Sequence, residues 1–223
     1  MTTQTLSVAS LDGRRLVALA LPVAVPIAMT AVFNAAREMS GPDRGYVIGF
    51  GAYWLACGGL ATWLVGPARL RALFADRRPR LGRPALLGVA LLAWPALGAV
   101  ATRFIPEVGS ATAGMLATIA GVALVNSFVE ELFWRGAYIA LWPKDLMFGW
   151  IWPALGFGLW HLAPQTIHPS SLGPVGYVVA ATALGLSWGW VALRTGSLRW
   201  AWLSHVIADA SGVRNALFFL GAF

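Results

Sequence analysis

Long apolar runs alternate with short polar connectors along most of this chain. The first run extends from Leu16 to about Ala36, behind Arg14 and Arg15, and carries Pro22 and Pro26. It exceeds the 7–15 apolar residues of a signal-peptide core and further runs follow, so it reads as an uncleaved helix, bent or loosened at its prolines. Further runs cover about Tyr46–Val65, Ala85–Thr102, Ala111–Trp142, Met147–Leu162 and Val175–Leu193, and the last starts near Leu198. Several reach the roughly 20 residues a helix needs to cross the hydrocarbon core. The tail from Asn215 to Phe223, after Ser211-Gly212, reads as a separate short helix, and residues 1–13 as a frayed polar terminus. Ala181, Gly185 and Gly189 repeat at four-residue spacing, a small-residue face suited to close helix packing. The expectation is an all-α, polytopic transmembrane bundle of seven or eight helices around an intramembrane polar cavity. It forms one domain over residues 1–223, with no internal repeat.

Composition sharpens this picture. The 223 residues are 58% hydrophobic and 11% charged, about half the charge of an ordinary soluble domain. The net charge of +7 sits in the connectors, above all in Gly66–Pro84, where Arg69, Arg71, Arg77, Arg78, Arg80 and Arg83 face a single acid, Asp76. That placement follows the positive-inside rule. It argues against nucleic acid as a partner and for a multi-pass cell-membrane protein with a cytoplasmic amino terminus. The arginine-rich connector reads as a solvated loop before it reads as a patch for anionic lipid. Trp142, Trp150, Trp152, Trp188, Trp190, Trp200 and Trp202 fall near span ends, as interfacial anchors do. Cys57 is the sole cysteine, so neither an intramolecular disulfide nor a CxxC-type metal site can form.

The chemistry lies in the few ionisable residues inside the spans. Glu130, Glu131 and Arg135 occur within six residues of one apolar run, at a cost of at least ~2.5 kcal/mol each at bilayer depth. His161, His205 and Asp209 come from two other spans. Counted at about 1.5 Å per residue, all lie near mid-membrane, so the helices are expected to bring them to one place. Glu131 and Arg135 are i,i+4 neighbours and pair on one helix face. Glu130 points about 100° away without that partner. Desolvated beside a like charge, it has the setting of a general base. His205 and Asp209 are also i,i+4, so the carboxylate can fix the imidazole tautomer. His168, in a Pro-rich loop, is expected at the surface.

Glu130-Glu131-x-x-x-Arg135, Phe157-x-x-x-His161 and His205-x-x-x-Asp209, in this order and in successive spans, resemble the CPBP intramembrane proteases. That family includes the type II CAAX prenyl endopeptidases and the bacteriocin-immunity (Abi-type) proteins. Arg194-Thr195-Gly196-Ser197-Leu198 adds to the likeness, which covers about Ala111 to Ala210. The resemblance implies a glutamate-dependent endopeptidase working in the bilayer with no required metal. Glu130 and His161 would activate water, His205 and residue 209 would stabilise the oxyanion, and Glu131, Arg135 and Phe157 would orient the site. The prenyl endopeptidases have Asn where this chain has Asp209. An ionised Asp cannot donate to an oxyanion, so Asp209 must be protonated or must orient His205 instead.

Three competing classes stand beside this reading. Glu130, His161 and His205 are a possible zinc ligand set, although no His-Glu-x-x-His motif is present. A non-catalytic immunity factor or scaffold would need the bilayer and a client but no chemistry. A proton-coupled transporter also uses intramembrane carboxylates and histidines, but the chain lacks repeat symmetry. The expected partners of the peptidase are the bilayer and a membrane-anchored or lipidated peptide or protein.

Overall fold

Apolar runs of this length can satisfy their backbone polar groups in lipid only as helices, and the computed structural model is all-helical throughout its described residues, 8–75 and 77–221. Asp76, the first seven residues and the last two, which end the expected tail, lie outside that range. The chain forms α1 (Val8–Ser40), α2 (Pro42–Val65) and a short α3 (Pro67–Ala72). Next come α4 (Ala85–Ala99), a wide π-helical turn over Val100–Phe104, and α5 (Ile105–Val108). The motif-bearing half follows as α6 (Ala113–Glu130), a second π-helical stretch over Glu131–Ala137, and α7 (Tyr138–Leu141). A third π-helical turn, Met147–Ile151, leads into α8 (Trp152–Trp160), then α9 (Leu162–Gln165), α10 (Gly173–Thr195), α11 (Arg199–Ala210) and α12 (Ala216–Leu220).

Among the described residues, five helices are long and apolar enough to cross a membrane: Gly13–Ser40, Pro42–Val65, Ala85–Val108, Ala113–Leu141 and Gly173–Thr195. The expected bundle of seven or eight helices is compatible with these five once the shorter helical pieces are counted. The runs at Met147 and Leu198 form shorter helices, the π-helical turn with α8 and then α11, packed against the longer ones. The first helix begins at Val8, earlier than the frayed terminus expected to residue 13. Part of the connector expected as a plain loop folds into α3, and the tail does form a separate helix, α12.

Prolines shape the packing more than they break helices. α1 runs on through Pro22 and Pro26. Pro22 has no N–H to give the carbonyl of Ala18, four residues earlier. The Tyr138 hydroxyl donates to that carbonyl at 2.9 Å, so the missing helical bond becomes a tie to α7. Between α1 and α2 the chain reverses at Gly41, whose φ of 82° suits glycine, and Pro42 opens the next helix.

α1 packs on α2 and α8, α8 packs on α10, and α11 lies against α4, α6 and α10. The small face of α10 seats this arrangement. Gly185 lies against Phe157 and Ala154 of α8, and Gly189 against Trp150. At the basic end of the bundle, arginines close helix C-termini. Arg14 donates to Leu64 O at 3.2 Å, Arg15 to Leu141 O at 2.9 and 3.2 Å, and Arg69 to Ala140 O. Cations at such ends meet orphan carbonyls and the negative pole of the helix, so these basic residues hold the fold together.

Candidate active site

α6 and α11 meet along the faces that carry the motifs, and α2 and α8 close the site from two other sides. Glu130 ends the regular α6, and the π-helical stretch begins at Glu131. Wide turns of this kind recur at functional sites because they re-aim side chains within a helix. Here the two consecutive carboxylates bracket one imidazole. His205 Nδ1 lies 3.0 Å from Glu131 Oε1, and His205 Nε2 lies 3.3 Å from Glu130 Oε2. Glu130 does not share the Arg135 partner of Glu131 and takes His205 instead. A 100° separation at the backbone still lets both side chains reach a residue packed between them.

The expected Glu131–Arg135 pair is present at 3.3 Å. The guanidinium also lies 4.1 Å from the centre of the Phe157 ring and 5.5 Å from that of Trp188, so aromatic faces shield its charge. Trp188 stacks on His205 at 4.0 Å and 18°, and it is 1% exposed. It is a wall of the site and not the interfacial anchor expected from its place near a span end.

Glu130 is 1% exposed and richly supplied with donors. Tyr53 Oη donates to its Oε1 at 2.9 Å, and Asn126 Nδ2 to its Oε2 at 3.0 Å. Tyr53 is fixed in turn by Trp134 Nε1, which donates to its hydroxyl at 2.7 Å, and by stacking on Trp160 at 3.6 Å. Asn126 also donates to Asp209 Oδ2 at 3.0 Å, and Ser127 Oγ donates to the same oxygen at 3.1 Å. Asp209 Oδ1 lies 3.5 Å from His205 Nε2. Both oxygens of Asp209 thus face donors, which fits an ionised acceptor and not a donor.

His161 occupies a different setting. Its Nδ1 lies 2.7 Å from the Phe157 carbonyl oxygen. Because a carbonyl only accepts, Nδ1 carries the proton, and in the neutral ring Nε2 is left with a lone pair. The Phe157-x-x-x-His161 spacing therefore sets a tautomer. The Phe157 ring contacts both histidines, at 4.7 Å from His161 and 5.9 Å from His205, and so spaces them apart. His168 is half-buried at the edge of the bundle. It stacks on Phe218 of α12 at 3.9 Å, edges onto Tyr46, and lies 3.7 Å from Asp43.

One carboxylate–imidazole–carboxylate group, Glu130, His205 and Asp209, has ligand-type atoms within 4.8 Å of one another. This set has Asp209 where the alternative zinc set read from sequence has His161. It does not fit a cation well, because the Asn126 amide turns its N–H groups towards both carboxylates.

Residues 112–211 match the family model described as Type II CAAX prenyl endopeptidase Rce1-like. The match covers somewhat under half of the chain, spans α6 to the end of α11, and contains all three motifs. It agrees with the resemblance read from those motifs. No curated protein and no solved structure matches the chain. Tyr53 and Trp54 lie outside the matched stretch. The five long apolar helices support a multi-pass membrane protein, and the stretch that matches is similar to a peptidase family.

Proposed function

We propose that this protein is an intramembrane endopeptidase that cleaves membrane-anchored or lipidated substrates with a water activated by Glu130. The observation that carries the reading is the buried Glu130 carboxylate, held by three donors from three helices beside a second, half-buried histidine whose Nε2 is free to accept a proton. In the reaction, the water oxygen bonds to the scissile carbonyl carbon while its proton passes to Glu130. The carbonyl π pair moves onto oxygen. Collapse returns that pair, breaks the C–N bond, and sends the proton from Glu130 to the leaving nitrogen. His161, through Nε2, orients the water and shares its proton. His205 faces the developing oxyanion through Nε2–H, whose bonds to Glu130 and Asp209 are long and readily exchanged. Asp209 aims His205 and Asn126 as an acceptor. Glu131 and Arg135 fix the other edge of His205, and Phe157 holds the two histidines apart. No metal enters this scheme, and the amino terminus is assigned to the cytoplasm from the basic connectors.

The test is cleavage of a panel of membrane-anchored peptides in liposomes by wild type, Glu130→Gln and chelator-treated protein. The expected result is cleavage that survives the chelator and falls by at least ~10³-fold in Glu130→Gln, the scale of losing a central catalytic group. Loss with chelator and recovery with zinc would instead support the second reading, a metal held by Glu130, His205 and Asp209. Peptide binding without any cleavage would favour a non-catalytic scaffold.

A further inference from the structure

Glu130, Asn126, Asp209 and His205 close a ring in which acceptors and donors alternate. Asn126 Nδ2 bridges Glu130 Oε2 and Asp209 Oδ2 at 3.0 Å each, and His205 Nε2 spans the same two carboxylates at 3.3 and 3.5 Å. The direction of the Asn126 amide is not free. Trp54 Nε1, which can only donate, lies 2.9 Å from Asn126 Oδ1 and so forces Nδ2 into the ring. The ring also has a buried and an accessible side. Glu130 and His205 are 1% and 2% exposed, whereas Asp209 is 29% exposed and Asn126 is half-buried. A peptide carbonyl arriving from the accessible side therefore meets the Asn126 amide.

We infer that Asn126 supplies a second N–H to the oxyanion, opposite His205, with Trp54 setting its direction. This rests on the peptidase reading above. The charge balance of the step favours it. When the water bonds to the carbonyl carbon, its proton neutralises Glu130 and the negative charge reappears on the carbonyl oxygen. The donors that held the Glu130 anion are then in surplus as the oxyanion needs them. Asp209 can release one Asn126 N–H at little cost, because Ser127 Oγ continues to donate to the same oxygen at 3.1 Å. Collapse reverses the exchange as the proton leaves Glu130 for the amine. Neither Trp54 nor its tie to Asn126 belongs to the motif pattern, which begins at Glu130.

The experiment compares wild type, Asn126→Leu, Asn126→Asp and the exchange Asn126→Asp/Asp209→Asn on a peptide that wild type cleaves. Binding of a phosphinate peptide, whose tetrahedral centre mimics the oxyanion, is measured alongside. Asn126→Leu is expected to lower kcat by about 10²–10³-fold, the cost of one oxyanion donor, with KM changed less than ~3-fold. Phosphinate affinity should fall in parallel while affinity for an uncleavable ground-state peptide holds, a split that a merely structural role would not produce. The exchange restores one amide and one carboxylate to the ring, and it is expected to recover at least ~10-fold over Asn126→Asp. It also serves if Asn126→Leu does not fold. Unchanged phosphinate affinity in folded Asn126→Leu, or no recovery in the exchange, would overturn the inference while leaving the Glu130 reading intact. Wild-type cleavage that does not depend on Glu130 would remove both.

Discussion

His205 and His161 are the same side chain in two settings, and their neighbours assign them opposite work. His205, on α11, is 2% exposed, and carboxylate oxygens of Glu131, Glu130 and Asp209 face both ring nitrogens. Such a ring is best served with a proton on each nitrogen, so it can donate but has no lone pair to offer. His161, at the end of α8, spends one nitrogen on a backbone carbonyl of its own helix, which leaves a lone pair on the other in the neutral ring. One histidine is a fixed donor and the other a candidate base. The difference comes from acceptors supplied by neighbouring helices.

The widest break in that comparison should come from removing each ring. His205→Ala strips the shared partner from three carboxylates and is expected to lower stability by about 3–5 kcal/mol, the cost of leaving buried charge unpaired, and to abolish cleavage. His161→Ala breaks one hydrogen bond within its own turn and ring contacts with Phe157, Trp160 and Tyr177 but unpairs no carboxylate, so it should lower the unfolding midpoint far less. It should still lower kcat by about 10²–10⁴-fold, the range for a lost acid–base group. Unfolding in detergent beside steady-state kinetics separates the two. Equal loss of stability in both variants would break the comparison.

Tyr53→Phe sharpens the His205 side by one bond. It removes the donor to Glu130 Oε1 and leaves Trp134 Nε1 without its acceptor. A charge-assisted bond of this kind contributes about 1.5–3 kcal/mol, so kcat is expected to drop about 10- to 100-fold while Tyr53→Ala, which also loses the Trp160 stack, drops further. Wild-type kcat in Tyr53→Phe would show that Glu130 is positioned by Asn126 and His205 alone.

How much of this was legible in the chain depends on where each partner lies. Glu131–Arg135 and Phe157–His161 are four apart on single helices, so spacing alone foretold that they meet. Asn126 is also four residues before Glu130, and a polar amide within an apolar run is a signal of the same kind. Tyr53 and Trp54 carried no such signal. Both are unremarkable residues in an apolar helix, and only the packing of α2 against α6 and the π-helical stretch gives them partners 72 to 81 positions away. Trp188 lies near a span end in sequence, yet α10 turns that face inward and away from the lipid interface. The short helices α8 and α11 look like the longer spans in sequence because hydropathy reports burial in protein and in lipid alike.

Tyr138→Phe gives the baseline against which the larger effects are read. Its hydroxyl reaches the Ala18 carbonyl that Pro22 leaves without a helical donor, and it makes no contact with either histidine. Hydrogen bonds between helices in membranes average only about 0.6 kcal/mol, because the separated helices find other partners. The Ala18 carbonyl has fewer such partners, being orphaned by proline inside an apolar helix, so the loss should lie slightly above that average, at about 1 kcal/mol. Cleavage should be unaffected, since neither Glu130 nor His161 depends on this tie. A clear fall in kcat would mean that the α1–α7 junction is coupled to the aim of the π-helical stretch between Glu131 and Ala137. The contrast between the two histidines would then owe part of its origin to the amino-terminal helix and not to α6, α8 and α11 alone.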